Sequence, residues 1–573
     1  MSKHYLPLLF LVAACAHVKP SSTAPDATFD ALADAHLLQL YRAHPIWATS
    51  LGVHDHDDAL PDLSARAVTR RTAEIDALLQ RVAAIEPGEL DDRRRLDHRV
   101  LEYALRAEQF ELTRVQGHLH DPMLYNRIAA RAIASLIDRR FAPTPERITS
   151  ATKRLSALPG VFEQARANLV DVPRLWTELA IKSTAGTASF LREDVPAALA
   201  AQGYADVDDA TKAAFEAAHE RGIAAVEAYR GWLEQELLPR SNADPSLGRE
   251  RFETKLKLEE HFDLDADTLR KMNDEAIERY QAWVAREAKK VDPNRSPADV
   301  MASITAEHPT PEDLIATAER YVVDARKFVV DHAILTLPTD ALPIVRESPK
   351  YARRGFASMS TPGPFEKVAR EAYYNITNVD PEWDEEKKEQ HLTYFNFPGL
   401  LGISVHEAMP GHFVQLLYEQ QIPSALRQVH GTASLIEGWA HYAEQMMVDE
   451  GLGGGDPKIR LGQLRRALQR HARWHAAIAI HVDGQSVEEA AKAFERIAYF
   501  APFPALRETQ RATYNPTYLY YALGRMEILA LRDAVKDAQG EDFSLKAFHD
   551  RFLRLGLPIP LARQVMLGGK NAE

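Results

Sequence analysis

Two histidines six residues apart enclose a glutamate and a Pro-Gly pair in the run His406-Glu407-Ala408-Met409-Pro410-Gly411-His412, and this run dictates a break in any helix that carries it. Two imidazoles beside a carboxylate form the set that holds zinc and activates its water. In the His-Glu-x-x-His arrangement the two rings are four residues apart on one helix face, and the glutamate acts as general base. At about 100° per residue, a spacing of six would put His412 roughly 240° round from His406. Pro410 lacks an N–H and its ring clashes with the carbonyl four residues back, that of His406, while Gly411 accepts backbone angles that other residues avoid. A break or wide bulge between the histidines follows, and it would return both rings to one side.

The flanking sequence is apolar, residues 397–405 before the run and 413–417 after it. A carboxylate in such a setting is costly without a partner, so a metal or a cation is expected at Glu407. A two-histidine zinc site needs a third protein ligand and leaves the fourth position to water. Residues 435–446 supply it: Leu435, Trp439, Tyr442 and Met446 form an apolar helical stripe, and Glu437, His441 and Glu444 form a second line at i, i+4 and i+7. The reading assigns His406, His412 and Glu437 to one zinc ion per chain, with His441 and Glu444 behind them, orienting ligands or holding a proton. His430 is the rival third ligand.

His406 to His412, followed by Glu-Gly-Trp-Ala-His-Tyr-Ala-Glu from Glu437, resembles the bacterial family known as domain of unknown function 885. That family's hallmark is His-Glu-x-x-Pro-Gly-His followed by Glu-Gly-Trp. The early stretch from His44 to Gly52 also resembles the family, so the likeness covers roughly residues 29 to 570. The family is in turn similar to zinc peptidases whose third ligand is Glu, such as thimet oligopeptidase and the Taq-type carboxypeptidases. By analogy this implies a mainly α, channel-containing fold with a small β-sheet beside the metal helix.

Two stretches depart from the family pattern. Where an Asp-Thr-Gly-x-His stretch is usual, this chain keeps His481 and lacks the Asp; where Pro-Gly-Gln precedes Tyr-x-x-Gly, only Pro516, Tyr521 and Gly524 fit. A Tyr hydroxyl or His N–H near a metal can donate to an oxyanion, so Tyr521 and His481 are the candidates for that role. Arg suits a substrate's terminal carboxylate because its planar fork binds both oxygens. Arg511 and Arg525 are the candidates, and Glu508 to Arg511 looks like the family's Glu-x-x-Arg before the same Pro. Residues 372–378 are β-prone and precede the metal helix. In the peptidases resembled here an edge strand binds extended substrate, which makes this stretch, with Tyr374, the candidate substrate strand.

The first residues read as export machinery. A short basic start and an apolar run of about ten residues are too short to span a bilayer. Val12-Ala13-Ala14-Cys15 resembles a bacterial lipobox, which implies cleavage after residue 14 and lipid on Cys15; an ordinary signal ending at Ala14 is the alternative. Cys15 is the only cysteine, so an internal disulfide and a multi-Cys metal site are excluded. Residues 15–28 read as a flexible tether, with the body starting near Phe29. A formal charge of −13 disfavours nucleic acid, the resemblance to zinc peptidases implies a short peptide as partner, and the lipid is the one membrane contact expected. The expected place is the cell envelope, at the periplasmic face of the outer membrane.

The rest of the 573 residues is mostly helical in period, as over residues 96–110 and 213–238. Turn chemistry at residues 242–248 suggests a boundary between an N-terminal helical lobe, 29–245, and a catalytic lobe, 246–573. The acidic residues 380–390 read as a loop. Together these readings point to zinc-assisted hydrolysis of short peptides, of carboxypeptidase or oligopeptidase type, with Glu407 as general base. An amidase on other amides and a metal-binding lipoprotein without activity are the alternatives. A binding relic would not need Glu407, and no Gly-x-Ser-x-Gly elbow lies near these residues.

Overall fold

The computed structural model describes residues 24–349, 353 and 355–568. The signal peptide, Cys15 and the first part of the expected tether lie outside the described residues. The chain is mainly α, 72% helix and 2% strand. Helix α1 (Ala24–Ala43) starts five residues before Phe29, with Asp26 already buried. The expected tether is therefore helical from Ala24 onward, because this first turn packs on the body.

Helix α2 (Pro45–Leu51) carries the early signature stretch and has Pro45 at its first position. Its end holds a distant loop: Phe365 donates its N–H to the Leu51 carbonyl at 2.9 Å, and His54 pairs with Glu366 at 3.2 Å. Helix α3 (Asp92–Phe110) covers the first stretch of helical period, and α4 (Asp209–Trp232) most of the second. An N-terminal core runs from Ile46 to Leu237. Residues 241–248 have no regular structure. Several bonds nevertheless join the two sides of this segment. Asp97 of α3 accepts from Arg427 Nε at 2.6 Å, His36 meets His430 at 2.9 Å, and Leu426 and Val429 share a core with Phe29, Leu32 and Leu101.

Helix α5 (Arg249–Glu260) leads into the second half. Its sheet has three short strands, β1 (Ile344–Glu347), β2 (Ala357–Ser360) and β3 (Tyr373–Ile376), in the order β1-β3-β2. β3 runs parallel to β1 and antiparallel to β2. The candidate substrate strand is thus the central one, paired on both sides, and β1 and β2 hold the edges. Residues 380–390 are not all loop, since α6 (Glu385–Leu392) begins there. Asp384 caps its Lys387 N–H, and two glutamates occupy the first turn, where the helix dipole favours them.

The site rests on six further helices, α7 (Phe397–Glu407), α8 (His412–Glu419), α9 (Ala433–Asp449), α10 (Pro457–His481), α11 (Pro502–Tyr514) and α12 (Tyr520–Gln539). Asn396 caps α7 at the Gly399 N–H and Thr432 caps α9 at Leu435. On α9 the apolar stripe of Leu435, Trp439, Tyr442 and Met446 is buried as expected, and so are His441 and Glu444 on its ionisable line. Helices α9 and α12 cross at Gly438 and Gly524. A Cβ on Gly438 would lie 2.7 Å from the Gly524 Cα, so neither position has room for a side chain.

Glu260, the last residue of α5, is buried and accepts the Ser434 N–H at 2.7 Å at the start of α9. Burial pushes its carboxyl up to about 7 from 4.5. The folded chain therefore keeps this proton longer than the unfolded chain, and stability present below about pH 4.5 is lost as pH rises through 7. The change amounts to roughly 3 kcal/mol, or about 2–3 °C in Tm for a chain of this size. In Glu260→Gln the fall in Tm between pH 4.5 and 8, followed by circular dichroism, is expected to shrink by that amount. An unchanged pH profile would rule out this origin.

Candidate metal centre

Helix α7 stops at Glu407 and α8 starts at His412, with a cis Met409–Pro410 peptide between them. The Ala408 and Met409 N–H groups both donate to the Ser404 carbonyl, at 2.9 and 3.2 Å, and Gly411 donates to Val405 at 3.0 Å. The turn folds so tightly on α7 that a Cβ on Gly411 would overlap the His406 carbonyl. From the other side, Trp439 Nε1 donates to the Pro410 carbonyl at 2.9 Å. As a result the rings of His406 and His412 lie 4.7 Å apart, nearly perpendicular at 83°.

Glu437 from α9 completes the cluster. Its Oε2 is 3.4 Å from His406 Nε2 and 3.3 Å from His412 Nε2. One ligand atom from each of the three residues lies within 4.8 Å of the others, the one such group among the described residues. Atoms bound at about 2.0–2.1 Å to one tetrahedral ion stand about 3.3–3.4 Å apart, which is the spacing of Glu437 from each ring.

Protons argue the same way. Glu444 is a buried carboxylate held by Arg466, at 2.7 and 3.1 Å, and by Arg470 at 2.9 Å. Burial raises its pKa, but the two guanidinium groups win and hold it well below the usual carboxylate range. It therefore accepts from His406 Nδ1, 2.8 Å away, which leaves Nε2 as the ring atom that faces Glu437. Glu437 Oε2 is itself buried with no hydrogen-bond partner. Burial raises the Glu437 carboxyl while the neighbouring His412 and His406 lower it further, to well below the usual range. Glu437 in turn raises the pKa of His412 against the effect of burial, so positive charge belongs at this buried cluster, on an imidazole or on a bound cation, and the donor set of two imidazoles and a carboxylate fits zinc.

Glu407 is half-buried on the wall of a cavity of about 3170 Å³, which His406 and Tyr521 also line. Tyr521, brought close by the Gly438–Gly524 crossing, donates its hydroxyl to Glu437 Oε1 at 3.1 Å. Burial and then Glu437 raise its pKa well above 10, so it keeps its proton. Arg511 also lines the cavity, its guanidinium 4.6 Å from the Tyr518 ring centre.

Other expected site residues lie elsewhere. His481 is buried and spent on backbone: Nε2 is 2.8 Å from the Ala512 carbonyl and Nδ1 accepts from Leu247 at 3.2 Å, leaving no N–H for an oxyanion. Arg525 is fully buried against His471 at 2.7 Å and His441 at 3.4 Å, out of reach of a substrate carboxylate. His441 touches the Tyr521 carbonyl at 3.2 Å and no ligand, so it supports the helix that carries Tyr521. Tyr374 is fully buried, its hydroxyl 3.3 Å from Ser404, and cannot meet substrate. His430 pairs with His36 and is not a ligand. Arg466 and Arg470 were not foreseen. Their signal was two arginines four apart on a helix otherwise rich in apolar residues, with Glu444 on another helix in need of cations.

Residues 45–566 match the family described as "bacterial protein of unknown function (DUF885)". No curated protein matches the chain. Among solved structures, the chain is similar to a candidate lipoprotein of unknown function from Shewanella oneidensis, with 27% identity, 94% of this chain and 99% of that one covered, and a TM-score of 0.79. A candidate lipoprotein from Colwellia psychrerythraea shares the fold at 18% identity, with a TM-score of 0.78 and 94% and 98% covered.

Proposed function

We propose, starting from the premise that this chain belongs to the DUF885 family of bacterial proteins, that it is a zinc-dependent hydrolase of peptide bonds in short peptides, anchored by lipid in the cell envelope. The reading is carried by the converging ligand atoms of His406, His412 and Glu437 beside a cavity-lining carboxylate, Glu407. Two imidazoles favour zinc over magnesium or calcium. Bound there, zinc lowers the pKa of a water to about 7 and polarises a carbonyl.

The chain's own residues divide the remaining work. Glu444, fixed by Arg466 and Arg470, keeps His406 in one tautomer. Glu407 takes a proton from water and hands it to the leaving amine. Tyr521, protonated beside Glu437, donates to the oxygen on which negative charge builds. The free edge of β2, whose Ala357 lines the cavity, replaces β3 as the edge for extended backbone. The cavity exceeds the roughly 300–1,000 Å³ of a small-ligand pocket, which suits an oligomer.

The lipid anchor is supported by the lipobox-like residues 12–15 and by the Shewanella relative's description. No helix among the described residues is long and apolar enough to cross a membrane. Elemental analysis tests the centre: wild type is expected to hold about one zinc per chain, and His412→Ala and Glu437→Ala to lose it. No zinc in wild type after reconstitution would overturn the hydrolase reading.

A further inference from the structure

The reading above accounts for one end of the cavity and leaves the charge along its wall unexplained. Helices α10 and α11 present six guanidinium groups to the cavity, those of Arg465, Arg466, Arg470, Arg473, Arg507 and Arg511. Two carboxylates answer them. Glu444 takes Arg466 and Arg470, and Glu508 takes Arg473 through two bonds of 2.8 and 3.1 Å.

Arg465, Arg507 and Arg511 meet no carboxylate at ion-pair distance among the described residues. Arg465 lies over the Phe500 ring at 4.9 Å and Arg511 over Tyr518 at 4.6 Å, so aromatic faces stand in for anions. Arg507 is exposed. On the sheet side Arg353 is matched by Glu347 at 2.7 Å and Lys388 by Glu385 at 2.8 Å, Lys387 lies over the Trp383 ring at 4.3 Å, and Asp380 and Glu382 add negative charge, so the unmatched guanidinium groups belong to the opposite wall. Within a chain of formal charge −13, this wall is locally basic against the average, and such a surface concentrates anions. A half-buried guanidinium without a counter-charge bears a desolvation cost that an incoming carboxylate relieves.

We propose that the cavity selects acidic peptides, chains with carboxylates beyond the terminal one, with Arg511 taking the carboxylate nearest the metal centre and Arg465 and Arg507 a further side-chain carboxylate. The identity of the ligand as a peptide rests on the hydrolase reading; the charge preference rests on the wall alone.

Calorimetric titration of the zinc-loaded full chain carrying Glu407→Gln, which prevents turnover, separates the two. The probes are Ala-Ala-Ala-Glu-Glu-Glu and Ala-Ala-Ala-Gln-Gln-Gln. The acidic peptide is expected to bind at least about ten-fold tighter in 50 mM salt, with the margin shrinking in 300 mM salt as charges are screened. Adding Arg465→Gln and Arg507→Gln should bring the preference below about three-fold. The exposed single change Arg507→Glu, which spares the packing around Arg465, should lower affinity for the acidic peptide alone. Equal affinities, a preference for the Gln peptide, no binding of either, or a preference untouched by these variants would overturn the proposal. A charge preference that persists while wild type cleaves neither peptide would support the proposal and sink the hydrolase reading.

Discussion

Replacing Glu407 by Gln should lower peptide hydrolysis by about 10²–10⁴-fold while zinc stays at about one per chain. The substitution keeps the size and shape of a side chain that is half-buried in the cavity wall and forms no hydrogen bond among the described residues. The fold should therefore be untouched, and the one property lost is the ability to accept a proton. Because His406, His412 and Glu437 are unchanged, metal content separates this outcome from a damaged centre. Turnover of a wild-type substrate, measured by release of free amine, gives the readout. Activity within a few-fold of wild type would place the base elsewhere, and the exposure of Glu407 beside His406 would need another explanation.

Gly411→Ala should be the most damaging single-methyl change in the chain. The added carbon would overlap the His406 carbonyl, which belongs to backbone and has no far end to swing away. Relief requires moving the turn that is pinned by the N–H groups of Ala408, Met409 and Gly411, and with it His412. A shift of even about 1 Å breaks ligand geometry that tolerates about 0.2 Å. The expected result is at least a 100-fold loss of zinc affinity, with a loss of stability beyond the usual roughly 1–3 kcal/mol of overpacking that is read as a lower Tm. Gly431→Ala is the control. Its Cβ would make an ordinary 3.5 Å contact with Ile436, so zinc content and Tm should stay close to wild type. Equal behaviour of the two variants would show that the turn yields more readily than its contacts imply.

The cluster of His406, His412 and Glu437 was legible in the sequence because its chemistry is local to each residue type. Imidazoles and carboxylates are costly to bury without a partner, and the Pro-Gly pair supplies the reason for the odd spacing of His406 and His412. Roles set by distant partners were not legible. His481 is satisfied by carbonyl and N–H groups of Ala512 and Leu247, neither of them near it in sequence, and nothing around His481 announces them. Arg525 lost its expected role to two buried imidazoles. The strand at Tyr373–Ile376 could be read from its β-branched and aromatic residues, but its central position depends on Ala357–Ser360, a stretch with little β propensity of its own. Within the expected loop of residues 380–390, residues 385–390 are helical because acidic residues serve a helix's first turn as well as a solvated loop.

The contact of His36 with His430 spans 394 residues. Loop-closure entropy grows only with the logarithm of length, so joining residues ten times farther apart costs about 2 kcal/mol more. Thermodynamically the long reach is cheap. Kinetically it is not, since contacts of high sequence separation form late. Helix α1 packs on the segment that leads into the helix bearing Glu437, so the first helix among the described residues waits for a partner 394 residues later. Assembly of the centre is thereby tied to the N-terminal helix: a chain that ends before His430 cannot close this contact, and one that lacks α1 loses the packing beneath the segment that leads to Glu437.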